Sequence, residues 1–287
     1  MIGIININKP AKVTSSNVVV KIKKLLNLKK VGHMGTLDPL AQGVLPICVG
    51  KATRLFDYFL KKQKTYIARF KFGEETDTLD LEGQVIRISQ KIPTLQELNS
   101  AVKSFIGEIE QIPPMFSSKK IDGKKAYDLA RQGAKIDLAP CKVTIFDYQV
   151  LNQIDENTFE FLITCSAGTY IRSLARDLGN FVDSCATMTN LIRTKSGKFE
   201  IENAVDYSKL TKEVIIKNLM PLEEVLSDFD SIDISAQQFQ RLLNGLPLTN
   251  IEAREGVDCA VYCEEKVIGI GIKKDNQFTL KTFLADN

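Results

Sequence analysis

One histidine, His33, and no tryptophan occur in the 287 residues. A lone histidine cannot supply the ligand set of a zinc hydrolase. It would also have to serve any Ser-His-Asp triad, and the chain has no G-x-S-x-G elbow. The six cysteines, at 48, 141, 165, 185, 259 and 263, follow no disulfide framework. Cys48 and Cys165 fall in apolar, strand-like runs where a thiol behaves as a small buried hydrophobe. Cys259 and Cys263 lie four apart with no histidine near them, a poor zinc pattern. Reduced structural thiols are therefore expected, and with them a cytoplasmic location. The opening "MIGIININKP" lacks the basic start and apolar core of a signal peptide. No apolar stretch approaches the roughly 20 residues that span a bilayer, so no membrane association is expected.

Strong charge of either sign is also missing: 38 basic and 35 acidic residues leave a net of +3. The distribution says more than the sum. Residues 231–287 hold six Lys/Arg against eight Asp/Glu, a net of −2, so the first 230 residues carry a net of +5. Basic residues cluster in "KIKKLLNLKK" (Lys21 to Lys30), "KKQK" (Lys61 to Lys64) and "KKIDGKK" (Lys119 to Lys125). Any one such run reads equally well as a solvated face; three in one chain favour a polyanionic partner.

A hydrophobic content of 44% describes an ordinary globular chain with a real core. Short apolar runs bounded by turn residues predict strands at Gly3–Asn8, Val44–Val49, Thr65–Phe72, Gln84–Ile88, Lys142–Leu151 and Phe159–Cys165. Helical periodicity follows Ser15 or Ser16 as cap, with Val18, Val19, Ile22, Leu25 and Leu26 on one face. "TLQELNSAVKSFIG" begins with a capping box, Thr94 and Glu97, and closes at Gly107. "KKAYDLARQG" predicts a helix ending at Gly133, and "TYIRSLARDLG" one ending at Gly179. The elements interleave without Rossmann-like alternation, which predicts an α+β domain with a mixed, largely antiparallel sheet over residues 1–230. Beyond Asp230 a short helix and three β-rich runs predict a small β-barrel domain over residues 231–287.

The segment "VGHMGTLDPLAQGVLPICVGKATR" (Val31 to Arg54) places one carboxylate, Asp38, in a glycine-punctuated loop. Pro39 drives Asp38 out of the α region, and Gly32, Gly35 and Gly43 permit tight turns and close backbone approach. On these grounds alone the aspartate is either a carboxylate presented by a scaffold or an Asx turn bonded to its own backbone. A phosphate-binding loop fails twice, with Leu45 where its first glycine belongs and Ala52 where Ser/Thr would hold magnesium. A hydrolytic glycosidase usually needs two carboxylates, and this loop has one.

The same segment closely resembles the signature loop of the TruB family of tRNA pseudouridine synthases. The likeness continues in order through "KTY", "GEETDTLDLEG", "QIPPMFSSKKIDGKKAYDLARQG", "CSAGTYIRSLARDLG" and "LIRTKSG". The C-terminal segment resembles a short PUA-type RNA-binding domain. Met34 stands where the family commonly has threonine, and Ile192 where an arginine often follows Leu191. The resemblance implies isomerisation of uridine 55 in the tRNA T-arm to pseudouridine, on a base flipped out of the folded RNA, by a monomer without metal or cofactor. It implies that Asp38 acts at the ribose as nucleophile or as base. It pairs Arg172 with that aspartate through a charge-assisted bond and stacks Tyr66 on the flipped base, its hydroxyl available to handle a proton. Leu191 packs below the ring, His33 helps to open the loop, and Tyr170 and Lys9 occupy pocket positions. Without the resemblance, Arg172 and Lys9 read as solvated positions and the tyrosines and Leu191 as ordinary core. Two rivals remain open, a nucleosidase cutting the same bond and a tRNA-binding chaperone of the same fold.

Overall fold

The computed structural model describes residues 1–116, 120–121, 124–125 and 138–285. Strands are β1 (Gly3–Lys9), β2 (Val31–His33), β3 (Gln42–Val49), β4 (Lys64–Phe72), β5 (Glu74–Thr76), β6 (Val85–Ile88), β7 (Gly107–Gln111), β8 (Lys120–Ile121), β9 (Lys124–Lys125), β10 (Cys141–Gln153), β11 (Thr158–Cys165), β12 (Ala186–Ser196), β13 (Phe199–Glu200) and β14 (Val205–Asp206). The central sheet runs β14-β1-β3-β12-β4-β11-β10-β7, with β2 added to β3 and β13 to β12. Only the β1/β14 and β3/β12 pairings are parallel, so the sheet is mixed and largely antiparallel as expected.

Burial follows from position in the sheet. β1 and β3 are covered on both faces, hence their continuous apolar runs: Leu45 and Ile47 face one core, Val44 and Cys48 another. β4 is covered on one face only, and its inward set is Lys64, Tyr66, Ala68, Phe70 and Phe72. Two of those five inward residues are polar, and both lie at the strand's start.

Helices α1 (Ser15–Leu26), α3 (Leu95–Ala101) and α4 (Ile171–Phe181) lay their apolar sides on the first core; α2 (Phe56–Leu60) contributes Phe59 to the second. Thr14, not Ser15 or Ser16, caps α1 by accepting from the Asn17 N–H. The Thr94–Glu97 capping box forms as expected. α4 does not stop at Gly179 but runs on to Phe181. There the missing side chain serves packing, since a Cβ would come within 2.7 Å of the Ala186 nitrogen of β12. β8 and β9 form a two-residue ladder, so the helix expected from Lys124 does not begin there; its remainder to Gly133, and the side chains of the Lys119–Lys125 run, lie outside the described residues.

The tail holds β15 (Asp230–Asp233), β16 (Asp258–Cys263), β17 (Lys266–Lys274) and β18 (Gln277–Phe283) in that order in one sheet. Where three runs and a barrel were expected there are four strands, and the edges β15 and β18 do not pair with each other among the described residues. Ala260, Val267, Ile270 and Leu284 from the tail share one hydrophobic core with Ile4, Met34, Val44, Leu55 and Phe59 of the main body. Met34, one of the two departures from the family pattern, is a member of that shared core.

A candidate active-site pocket beneath a pinned aspartate loop

The loop from Met34 to Ala41 is tied down along its backbone. Ser15, buried at the start of α1, accepts from the Leu37 N–H and donates to the Leu37 carbonyl, both at 2.9 Å. Lys9 directs its ammonium to the carbonyls of Pro10, Val13 and Pro39 at 2.9, 2.7 and 3.3 Å. The Lys12 N–H also donates to the Pro39 carbonyl, and the Ala41 N–H to that of Asp38. Arg193 of β12 reaches the Val44, Gly35 and Thr36 carbonyls at 2.7, 3.2 and 3.5 Å. Gly43 is needed for this arrangement, because a Cβ there would lie 2.2 Å from the Arg193 carbonyl.

Asp38 leaves this scaffold with a partly exposed carboxylate, Oδ2 2.9 Å from Arg172 Nη2. The aspartate is thus presented outward, not closed on its own turn. Arg172, in the first turn of α4, is almost wholly buried. Its other donors go to Asp80 Oδ2 at 3.2 Å and to the carbonyls of Thr78 and Phe116 at 3.0 Å each. The position that reads as a solvated helix face is therefore a junction between two carboxylates. Asp80 is in turn buried and fixed by the Thr78 hydroxyl and the Glu82 N–H.

A cavity of about 580 Å³ opens beside Asp38, and Tyr66, Leu191, Tyr170, Arg172, Arg193, Lys64 and His33 line it. Sheet register explains the company: on β12, Leu191 and Arg193 stand opposite Ala68 and Tyr66 of β4. Ile192, the second departure from the family pattern, falls between them and so belongs to the other face. The Gln111 side chain, fully buried, accepts from the Tyr170 N–H and donates to the Tyr170 carbonyl, fixing the entry to α4. A second cleft shares Asp38, His33, Thr36, Leu37 and Arg172 with the first.

Burial governs the electrostatics. It pushes the Tyr66 hydroxyl up to about 12, against the nearby Arg193 charge and hydrogen bond, so the phenol is neutral at physiological pH. It lowers Lys64 to about 8, helped by Arg193. Lys9 is lowered to about 8 by the same desolvation, with Asp38 opposing. His33 is lowered by burial and by Arg193, and its Nδ1 is a buried atom with no hydrogen-bond partner.

Of the seven residues expected at the site, the structure brings six to this cavity. Lys9 is the exception, since it does not line the cavity but supports the loop from beneath. Sequence reasoning missed Asp80, Arg193, Lys64, Ser15 and Gln111. Two of these had a signal, because strand alternation places Lys64 two before Tyr66 and Arg193 two after Leu191. Among the described residues no group of three or more His, Cys, Asp or Glu could hold a metal ion. The described cysteines are all free, and burial raises Cys48 to about 12 and Cys165 to about 11.

Two family models match the chain. Residues 23–171 match the TruB family pseudouridylate synthase N-terminal domain, and residues 172–232 the tRNA pseudouridylate synthase B C-terminal domain. The chain is 40% identical over 289 residues to tRNA pseudouridine synthase B of Clostridium novyi (strain NT), covering 99% of this chain and 100% of that one. It is 41% identical over 291 residues to the protein of that name from Clostridium tetani (strain Massachusetts / E88), again covering 99% and 100%. Among solved structures, a chain of the crystal structure of a Cbf5-Nop10-Gar1 complex aligns with a TM-score of 0.73 and 25% identity, covering 99% of this chain and 84% of that one.

Proposed function

The chain belongs to the TruB family of pseudouridylate synthases, and on that premise we propose how its pocket turns uridine 55 in the T-arm of tRNA into pseudouridine. The chain is an enzyme that isomerises uridine to pseudouridine in tRNA. That reaction breaks the N1–C1′ bond, turns the uracil and rejoins it through C5, so atoms are conserved and no water enters. One carboxylate is enough for it, in contrast to glycoside hydrolysis.

The observation that carries the assignment of residues is the Asp38–Arg172 pair, 2.9 Å apart at the wall of a cavity also lined by Tyr66 and Leu191. Asp38 acts at the ribose, as nucleophile or as base. Arg172 holds its Oδ2 in place while Asp80 holds Arg172, so the carboxylate keeps one orientation through the reaction. The target uridine flips out of the RNA. The Tyr66 ring stacks on it, Leu191 supports the opposite side, and Tyr170 and His33 complete the wall. The tail contributes RNA binding of PUA type, and the enzyme works as a monomer in the cytoplasm without metal or cofactor.

Mapping pseudouridine in unmodified tRNA after incubation with the protein, and with Asp38→Asn, tests this reading. Pseudouridine at position 55 with the wild type and none with the variant supports it. Free uracil in the digest would indicate a nucleosidase. Neither free uracil nor tritium release from C5-labelled uridine would indicate a binding protein.

A further inference from the structure

Arg193 is an anomaly in a pocket built to take a neutral base. Its side chain is among the largest fully buried ones, at 1% exposure. Arg172, the other arginine of the cavity wall, is matched by Asp38 and Asp80, whereas Arg193 makes no ion pair among the described residues. It is held by three carbonyls and faces the cavity beside Tyr66, its register partner across the β4/β12 ladder. Burying a guanidinium without a counter-ion is costly, and carbonyl dipoles offset only part of that cost. The three carbonyl bonds account for Arg193 as a loop strut but leave its charge without a counter-ion.

Elementary chemistry supplies the missing anion. When the N1–C1′ bond breaks, its electron pair leaves with the base, and uracil becomes a monoanion delocalised over N1, O2 and O4. C1′ is satisfied either by an Asp38 oxygen or by loss of a neighbouring ribose proton to Asp38, so both readings of Asp38 share this anion. On rejoining, the anion's C5 bonds C1′ as the Asp38 oxygen leaves it, or as Asp38 returns the ribose proton; the C5 hydrogen then leaves as a proton, and N1 takes one up. We propose that Arg193 is the counter-charge for this departing uracil anion. Such a fixed charge is preorganised toward a species that exists only along the reaction, the arrangement that most effectively lowers a barrier. The inference rests on the functional reading above.

Single-turnover kinetics at saturating enzyme tests it, with Arg193→Met, Arg193→Lys and two tRNAs. One tRNA carries uridine at the target and the other 5-fluorouridine, whose anion is the better leaving group. On uridine, Arg193→Met should lose on the order of a hundredfold in rate, with tRNA Kd within threefold of wild type. Arg193→Lys should recover at least tenfold of that loss. On 5-fluorouridine, read as disappearance of the N-glycoside, the Arg193→Met deficit should shrink at least tenfold. An equal deficit on both tRNAs, a loss confined to Kd, or a folded Arg193→Met within threefold of wild type overturns the inference. Should neither variant fold by circular dichroism, Arg193→Gln, which keeps neutral donors but removes the charge, carries the same test: its deficit must also shrink at least tenfold on 5-fluorouridine. A wild-type chain inactive on uridine tRNA would instead overturn the functional reading.

Discussion

The Asp38 end of the central sheet and the tail sheet are built on opposite principles. Beneath the loop, the fold buries Lys9, Lys64, Arg172, Arg193, Asp80 and Ser15, and most of them bond backbone carbonyls. In the tail, β16 and β17 bury Ala260, Val261, Val267, Ile268 and Ile270, and one of their faces completes the core of the main body. The first arrangement sacrifices stability for geometry, since buried polar groups cost free energy unless every bond is made. The second gains stability from hydrocarbon, at about 25 cal/mol per Å² of apolar surface removed from water. Chemistry and stability should therefore be separable by mutation, and the largest separation should come from the exposed carboxylate itself.

Asp38→Asn keeps shape and removes charge at a partly exposed atom. The single-turnover rate should fall at least about a thousandfold, ~4 kcal/mol of barrier, with the melting temperature and tRNA affinity nearly unchanged. Activity within tenfold of wild type would end the assignment of Asp38.

The converse belongs to the tail. Ile270 is fully buried in the core that the tail shares with Ile4 and Leu222. Ile270→Ala should cost about 3 kcal/mol by denaturant unfolding and leave the single-turnover rate within twofold below the transition. Because that core is shared, removing residues 231–287 would uncover apolar surface of the main body, so a point substitution is the cleaner probe. A normal melting temperature for Ile270→Ala would mean that this shared core contributes little to the stability of the fold.

Ser15→Ala acts where the two principles meet. It leaves the Leu37 N–H and carbonyl without their buried partner, a loss of roughly 1–3 kcal/mol. Unlike Ile270→Ala it should also slow single-turnover catalysis, because the slackened segment carries Asp38. A stability loss with no change in rate would show that the loop is over-determined by Lys9 and Arg193.

How much of this was legible depended on the range of the forces involved. The strands were readable because burial of one or both faces is written locally, as alternation in β4 and β11 and as the continuous run in β3. The Asp38 loop was readable because glycine and proline constrain the backbone wherever they stand. The role of Gly179 was not, because the close approach to β12 arises only after helix and sheet dock. Arg193 and Asp80 were missed for the same reason: a charged residue in sequence looks solvated until the partners that bury it are known. Lys9 shows the reverse case, in which a match to a pocket position turned out to sit underneath the loop.

The smallest effect expected is a slope. Lys64 is lowered to about 8 by burial, with Arg193 adding to it, from an ordinary value of 10.5. Between those two values the unfolded chain binds more protons at this position than the folded one, so its contribution to stability rises with pH. Lys9 acts in the same sense over the same window. Cys48, raised to about 12 by burial from 9.0, works the other way, because above its ordinary value the folded state retains a proton that the unfolded state has lost. The lysines therefore dominate between about pH 8 and 9, and the thiols oppose them higher up. Denaturant unfolding of the wild type and of Lys64→Met at half-unit steps from pH 7.5 to 9 isolates the effect. The wild type should gain stability over this range, and the variant should gain less, with Lys9 supplying what remains. Identical slopes would mean that Lys64 titrates normally, and with that the buried charge beneath the loop would be less costly than the contrast with the tail requires.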